Sequence, residues 1–363
     1  MPDVDVRTYA DLQAACDASS LNGTTVVVPT GVVIDSPQIF CDSRLTLRVD
    51  GRINRTDAGN TGAGGAMFRN RNTSLKTNDC HFFGKGSVGA KTSYTDPVTG
   101  HTRYDQTGIV FSNYGDRNVW TDIGIDKWDG GQAWAIRGDD LVIRRTSARG
   151  CAEATGNGGM RLIGGARFRA YSCDVWSGDD VYQPVPSPST DHTITDAKFI
   201  NCVGGSTDAR FMVVGIQAGS GETLQPGTPM TCSVEDVEWR NCHGHGSIMG
   251  VVLQNFSSTG RIHNMRFTGC SVQSSRQYAG TNGARVLGQE FYTTALHPDG
   301  SVTGGVDGIH GDITWWNRQA ATLMNPGGRG PVTGVDVALT ERADPYWFPN
   351  LAPTQTPRAA FAA

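Results

Sequence analysis

Three aspartates and a pair of histidines hold the residue types most able to act on a bond. Asp179 and Asp180 follow Ser177-Gly178, Asp208 lies a short way on, and His243 and His245 flank Gly244. Counted from a recurring Cys (151, 173, 202), the sixth position is Asn157, Asp179 and Asp208. If the cysteines stack coil over coil, those acids stand about 5 to 10 Å apart, the range that serves either glycosidase geometry. Crowded carboxylates split their pKa values, which yields one acid and one base. This spacing predicts Asp179 as general acid and Asp180 or Asp208 as base, with Arg210 and His245 touching a sugar. The competing reading is that these acids cap turns through backbone N–H groups or hold a cation. Trp128 and Trp176, beside polar turn residues, are candidate platforms for sugar C–H faces. His243 and His245 share one side of a strand, but no third ligand is near in sequence, so neither metal nor cofactor is expected.

The elements that must position these groups show in a repeat. ARFRAYSC (166–173), TDAKFINC (195–202), EDVEWRNC (235–242) and HNMRFTGC (263–270) align without gaps. Five residues before the Cys stand Phe168, Ala197, Val237 and Met265; three before it stand Ala170, Phe199, Trp239 and Phe267. Apolar residues alternating with polar ones mark strands with one buried face. A weaker copy runs from Ile143 to Cys151. The Cys-to-Cys intervals of 22, 29, 40 and 28 residues fit one coil each, with loops inserted in the longer ones. Stacking then places Cys151, Cys173, Cys202, Cys242 and Cys270 in one internal ladder. Trp134 and Trp239 fall at core positions. Segments 45–53, 78–88, 117–125, 311–316 and 332–339 read as further coil strands.

The predicted fold is all-β: a single-stranded right-handed parallel β-helix with a short N-terminal capping helix. Tyr9 to Ala18 supplies the helix, and TTVVVPTGVV the first strand. Such a cap covers the exposed edge that an open coil end presents. The expected divisions are 1–35 for the cap and first strand, 36–343 for the β-helix and 344–363 for an extended tail. Uneven coils carrying one recurrent Cys argue against a β-sandwich.

Composition narrows the function classes. The chain has 363 residues, 47 of them Gly, with 18% charged and 38% hydrophobic residues and a formal net charge of −4. So much Gly without a triplet period suits many tight turns. The charge balance offers no basic footprint for nucleic acid, and no apolar run approaches the roughly 18 residues of a membrane span. The first residues, MPDVDVRTYADLQAAC, have neither the basic nor the apolar region of a signal peptide. Nine Cys, an odd count in a long chain, read mostly as buried free thiols.

SGDDVYQ at 177–183 and CHGHGSIMG at 242–250 resemble motifs of polygalacturonases, inverting hydrolases within the pectin-lyase-like β-helix superfamily. The resemblance covers about residues 140–280 and implies carboxylates at Asp179 and Asp180, a His at His245, and a substrate-binding cation at Arg276 in SSRQY. It departs where the family carries a further Asp in an NTD motif: this chain has Asn157-Gly158-Gly159. GHG also lies two repeat units beyond GDD, and RIK is absent. The β-helix without a leader is similar to phage tailspikes as well. That likeness implies a receptor-binding tailspike or minor tail protein of the virion. It would recognise, and by extension cleave, cell-surface polysaccharide. It would act as a homotrimer beside other tail proteins, with Tyr346, Trp347 and Phe348 as contact anchors. An extracellular bacterial hydrolase or lyase, and a non-catalytic structural β-helix, are the alternatives.

Overall fold

Short β-branched and aromatic runs, separated by Gly, Asn and Asp corners, fold into stacked coils of parallel strands. The computed structural model describes residues 2–341 apart from 58–64, 98–99, 101, 105–107, 150–157, 187–191, 207–208, 217–231, 247–248, 256–259, 275–277, 280–284, 287–288, 296–304, 316–322 and 325–331. Asn157, Asp208, Arg276, Cys151 and the tail anchors Tyr346, Trp347 and Phe348 lie outside the described residues. The chain divides into two compact units, Met1–Gly178 and Asp179–Ala363.

The first unit opens with a strand, Asp3–Asp5, paired parallel to Thr25–Val28. Helix α1 spans Leu12–Asn22, later than the predicted 9–18. Asp11 sets its start by accepting from the Ala14 N–H at 2.7 Å, and Gly23 at φ 68° stops it. The cap therefore includes a three-residue strand carrying two aspartates as well as the expected helix. Short, charged edges of this kind resist pairing with other chains.

Coils follow, each with three parallel strands. The first column of this unit stacks Thr25–Val28, Thr46–Val49, His81–Phe83, Val119–Thr121, Val142–Arg144 and Arg169–Tyr171. Its inward residues, Val26, Leu47, Phe82, Trp120, Ile143 and Ala170, form one fully buried file. At the corner before this column, Arg44, Asp79, Arg117, Asp140 and Arg167 all take left-handed φ values. The alternating charges pair between coils, Arg117 with Asp79 and Arg167 with Asp140, each at 2.6 Å.

In the second unit the first column stacks Ile194–Ile200, Val234–Arg240, the start of Arg261–Ser274, and Gly305–Trp315. The repeat alignment is the register of this column. Ala197, Val237 and Met265 are successive partners, as are Phe199, Trp239 and Phe267. The three rings stack at 5.6 Å and 4.9 Å with planes 8° and 4° apart. Such pairs add about 0.5–1.5 kcal/mol each beyond their area. The fold is the predicted parallel β-helix; a right-handed crossover is the sense that strand twist favours.

Cys202, Cys242 and Cys270 stack as predicted, with the Cys242 thiol donating to the Phe199 carbonyl at 3.2 Å. Ile313 continues the file beyond Cys270. The coil before Cys173 offers Thr146, whose hydroxyl donates to the Cys173 sulfur at 3.6 Å. Ile143 pairs with Ala170, so the earlier copy of the repeat ends at Thr146 and the interval is a full coil. The eight described cysteines are all buried free thiols.

Candidate functional site

Asp179 and Asp180 sit at the start of the second unit. The Asp179 carboxylate accepts from the Asp180 N–H at 2.8 Å, a side chain holding its own turn. Arg210, opening strand Arg210–Ile216, forks onto Asp180, with Nε to Oδ1 and Nη2 to Oδ2 both at 2.6 Å. The Val181 N–H donates to the Arg210 carbonyl at 3.0 Å and fixes the register of the pair. Asp180 is 4% exposed. Burial lifts its pKa to about 6, against the pull of the guanidinium; the Asp179 charge adds to the rise. At neutral pH the pair is ionised, bidentate and largely closed to solvent. Arg210, expected to touch a sugar, is engaged by Asp180.

His245 stands on strand His243–Gly246, 5% exposed, with Nδ1 at 3.3 Å from the Ser206 carbonyl. Burial pushes its pKa down to about 4, so the ring is neutral and Nδ1 donates to that carbonyl. His243 is half-buried with Nδ1 at 2.7 Å from the Ser271 hydroxyl. Between them Gly244 is required: a Cβ there would stand 2.1 Å from the Phe211 ring. The HGH spacing therefore packs a core ring against the backbone. No group of three or more potential metal ligands occurs among the described residues.

Both tryptophan platforms need correction. Trp128 is 2% exposed and Trp176 6%, the latter donating its indole N–H to Asp174 at 2.9 Å. Lys127 takes a left-handed φ of 52°, and Trp128 after it lies in the core. Trp134 and Trp239 are fully buried, as their pattern positions predicted.

A different arrangement faces solvent. An open groove of about 210 Å³ on the outer face of the second unit's first column is lined by Asp196, Lys198, Asp236, Glu238, Asn264 and Arg266. Each coil carries a left-handed residue at the same place: Asp196, Asp236, Asn264 and then Gly308, at φ 51°, 56°, 56° and 62°. The kink turns two successive side chains outward per coil, as in Thr195-Asp196 and Glu235-Asp236, before the inward pattern resumes. The kink recurs in register on every coil and adds one outward polar group to each. Asx residues tolerate that backbone, which explains their presence there.

Charge in the groove is mixed and cross-linked. Lys198 Nζ lies 3.6 Å from Glu238 and 3.9 Å from Asp196. Arg240 holds the other Glu238 oxygen through Nε at 2.9 Å. Asn264 donates to Asp236, and Arg266 donates to the Asn264 side-chain amide oxygen Oδ1 at 3.3 Å. One coil further, Asp307 accepts from Arg261 at 2.9 Å and meets His263. Donors and acceptors thus alternate over three coils, an arrangement that suits a hydroxyl-rich ligand. These groove residues were missed because only the apolar positions of the repeat were read. The same alignment, taken four and six residues before the Cys, lists Lys198, Glu238, Arg266 and Asp196, Asp236, Asn264.

No protein-family model matches the chain, and no curated protein matches it. Solved structures do. The tailspike protein of E. coli bacteriophage HK620, in complex with a pentasaccharide, superposes with a TM-score of 0.55 at 15% identity, covering 93% of this chain. A double mutant of that tailspike gives 0.58 at 15% identity over 93%. The fold is that of a tailspike β-helix. This chain spans 62% of the length of those tailspikes. No helix among the described residues is long and apolar enough to cross a membrane.

Proposed function

We propose that this chain is a receptor-binding β-helix of a phage tail that recognises host cell-surface polysaccharide along the groove at Lys198, Glu238 and Arg266. The observation that carries the reading is the stacked left-handed kink, which presents both donors and acceptors from three consecutive coils. The structurally similar tailspike was solved with a pentasaccharide, which supports the ligand class. Recognition is favoured over turnover at the GDD turn. Both Asp180 oxygens are engaged by Arg210, and Asp179 holds the turn, as structural carboxylates do. The proposal includes assembly as a homotrimer in the virion, next to other tail proteins.

A screen of immobilised bacterial surface glycans tests the binding. Lys198→Gln and Glu238→Gln should each weaken capture at least about tenfold, since each removes a charged hydrogen-bonding partner. Unchanged capture by both variants would overturn the groove. Asp179→Asn and Asp208→Asn, assayed by loss of polysaccharide viscosity, test cleavage: turnover that these variants abolish would restore the catalytic reading. Light scattering tests the trimer.

A further inference from the structure

We propose that the hairpin of Ser93–Thr95 and Thr102–Tyr104 is a strap that opens and closes over the corner Lys127–Asp129 independently of the coils, with the Arg103–Asp129 ion pair as its latch. The device is separate from the groove and from whatever the groove binds.

The hairpin stands outside the winding of the coils. Its strands pair antiparallel with each other, Ser93 with Tyr104 and Thr95 with Thr102, and form a sheet of their own. Ser93, Tyr94 and Thr95 are all exposed. Both stems rest on the corner of the next coil. The Ala90 N–H donates to the Lys127 carbonyl at 2.8 Å, and the Gly108 N–H to the Asp129 carbonyl at 2.7 Å. The corner is straddled.

The latch is a charge taken out of water. Asp129 is fully buried, and its carboxylate accepts from Arg103 Nε at 2.5 Å, from Arg103 Nη2 at 3.1 Å and from the Tyr104 N–H at 3.4 Å. Asp96, in the same hairpin, stands 4.0 Å from the Arg103 guanidinium. Arg103 therefore carries a carboxylate neighbour with it when it leaves Asp129.

The closed state bears two costs that opening relieves. One is the buried Asp129 charge. The other is the indole N–H of Trp128, which is buried without an acceptor. Trp128 lines a cavity of about 10 Å³ with Ala90, Gly108, Val110 and Lys127, the size of a single water. Against these costs, Tyr104 packs on Ala90 in a small apolar cluster of its own. The coils beneath are held by the file of Phe82, Trp120 and Ile143, all fully buried. A unit with little apolar anchorage and one polar latch opens well before such a core unfolds.

Native-state hydrogen exchange of the full chain in low denaturant, read by mass spectrometry with fragmentation to single amides, tests this. Tyr104, Ala90 and Gly108 should show protection at least about tenfold lower than Val119, whose N–H is held by the Cys80 carbonyl. Their exchange should also depend less on denaturant, because opening the strap exposes less surface than unfolding. Arg103→Met should lower the strap's protection at least about tenfold further and leave Val119 unchanged, with Arg103→Lys between the two. If Arg103→Met fails to fold, the denaturant dependence in the parent chain still decides. Strap and Val119 amides exchanging as one unit, an unaltered strap in a folded Arg103→Met, or an equal loss of protection at Val119 would each overturn the strap.

Discussion

Arg210 grips Asp180 through two parallel bonds of 2.6 Å, and the carboxylate is almost wholly removed from water. Such a pair is dangerous to halve. Asp180→Asn leaves a guanidinium partly buried without its counter-charge and should cost about 3–5 kcal/mol in urea unfolding. Removing both charges, as Asp180→Asn with Arg210→Met, should recover at least half of that loss. A double variant as unstable as the single one would mean that the turn needs the carboxylate for something else.

The same carboxylate and His245 pull the acid stability in opposite directions. Unfolded Asp loses its proton near 3.8 but folded Asp180 keeps it to about 6, so between those values the folded state binds more protons and stability falls as pH rises. Unfolded His gains a proton below 6.5, whereas folded His245 refuses it until about 4, so stability falls as pH drops through that window. His81 and His243, also pushed down by burial, act with His245. Tm measured from pH 7 to 4 should fall less steeply in His245→Gln than in the parent chain, and more steeply in Asp180→Asn.

Trp239 lies between Phe199 and Phe267 in a ring stack, and its indole N–H is buried without an acceptor. Trp239→Ala should cost about 3–5 kcal/mol by opening a cavity. Trp239→Phe should stay within about 1 kcal/mol. Its neighbours prove that Phe fits the site, and the unpaired donor goes with the indole. Denaturant midpoints decide between the two.

Asp236 has a left-handed backbone in mid-strand. Asp236→Gly should be tolerated within a few tenths of a kcal/mol, whereas Asp236→Val should cost about 1–2 kcal/mol, because a β-branched Cβ clashes in that conformation. Equal costs for both would remove the stacked left-handed kink as the device that shapes the groove.

The fold was legible in the second unit because its coils repeat side chains in register, and a ring at Phe199, Trp239 and Phe267 leaves a periodic trace. In the first unit the same position is less legible, since Thr146 fills it one coil before Cys173 without a thiol to mark it. The site was less legible. GDD and HGH stood out as words, yet Asp180 is spent on Arg210, and Gly244 makes room for Phe211. The groove side chains were in plain view, but they look like ordinary solvent-facing residues until coils are stacked.

The sequence by itself determined the coil, the inward file and the free thiols, because alternation and repetition are local properties that burial enforces along a chain. Only the tertiary structure decided which polar groups meet. That choice depends on left-handed kinks that turn extra side chains outward, and on charges from residues tens of positions apart brought within hydrogen-bond reach.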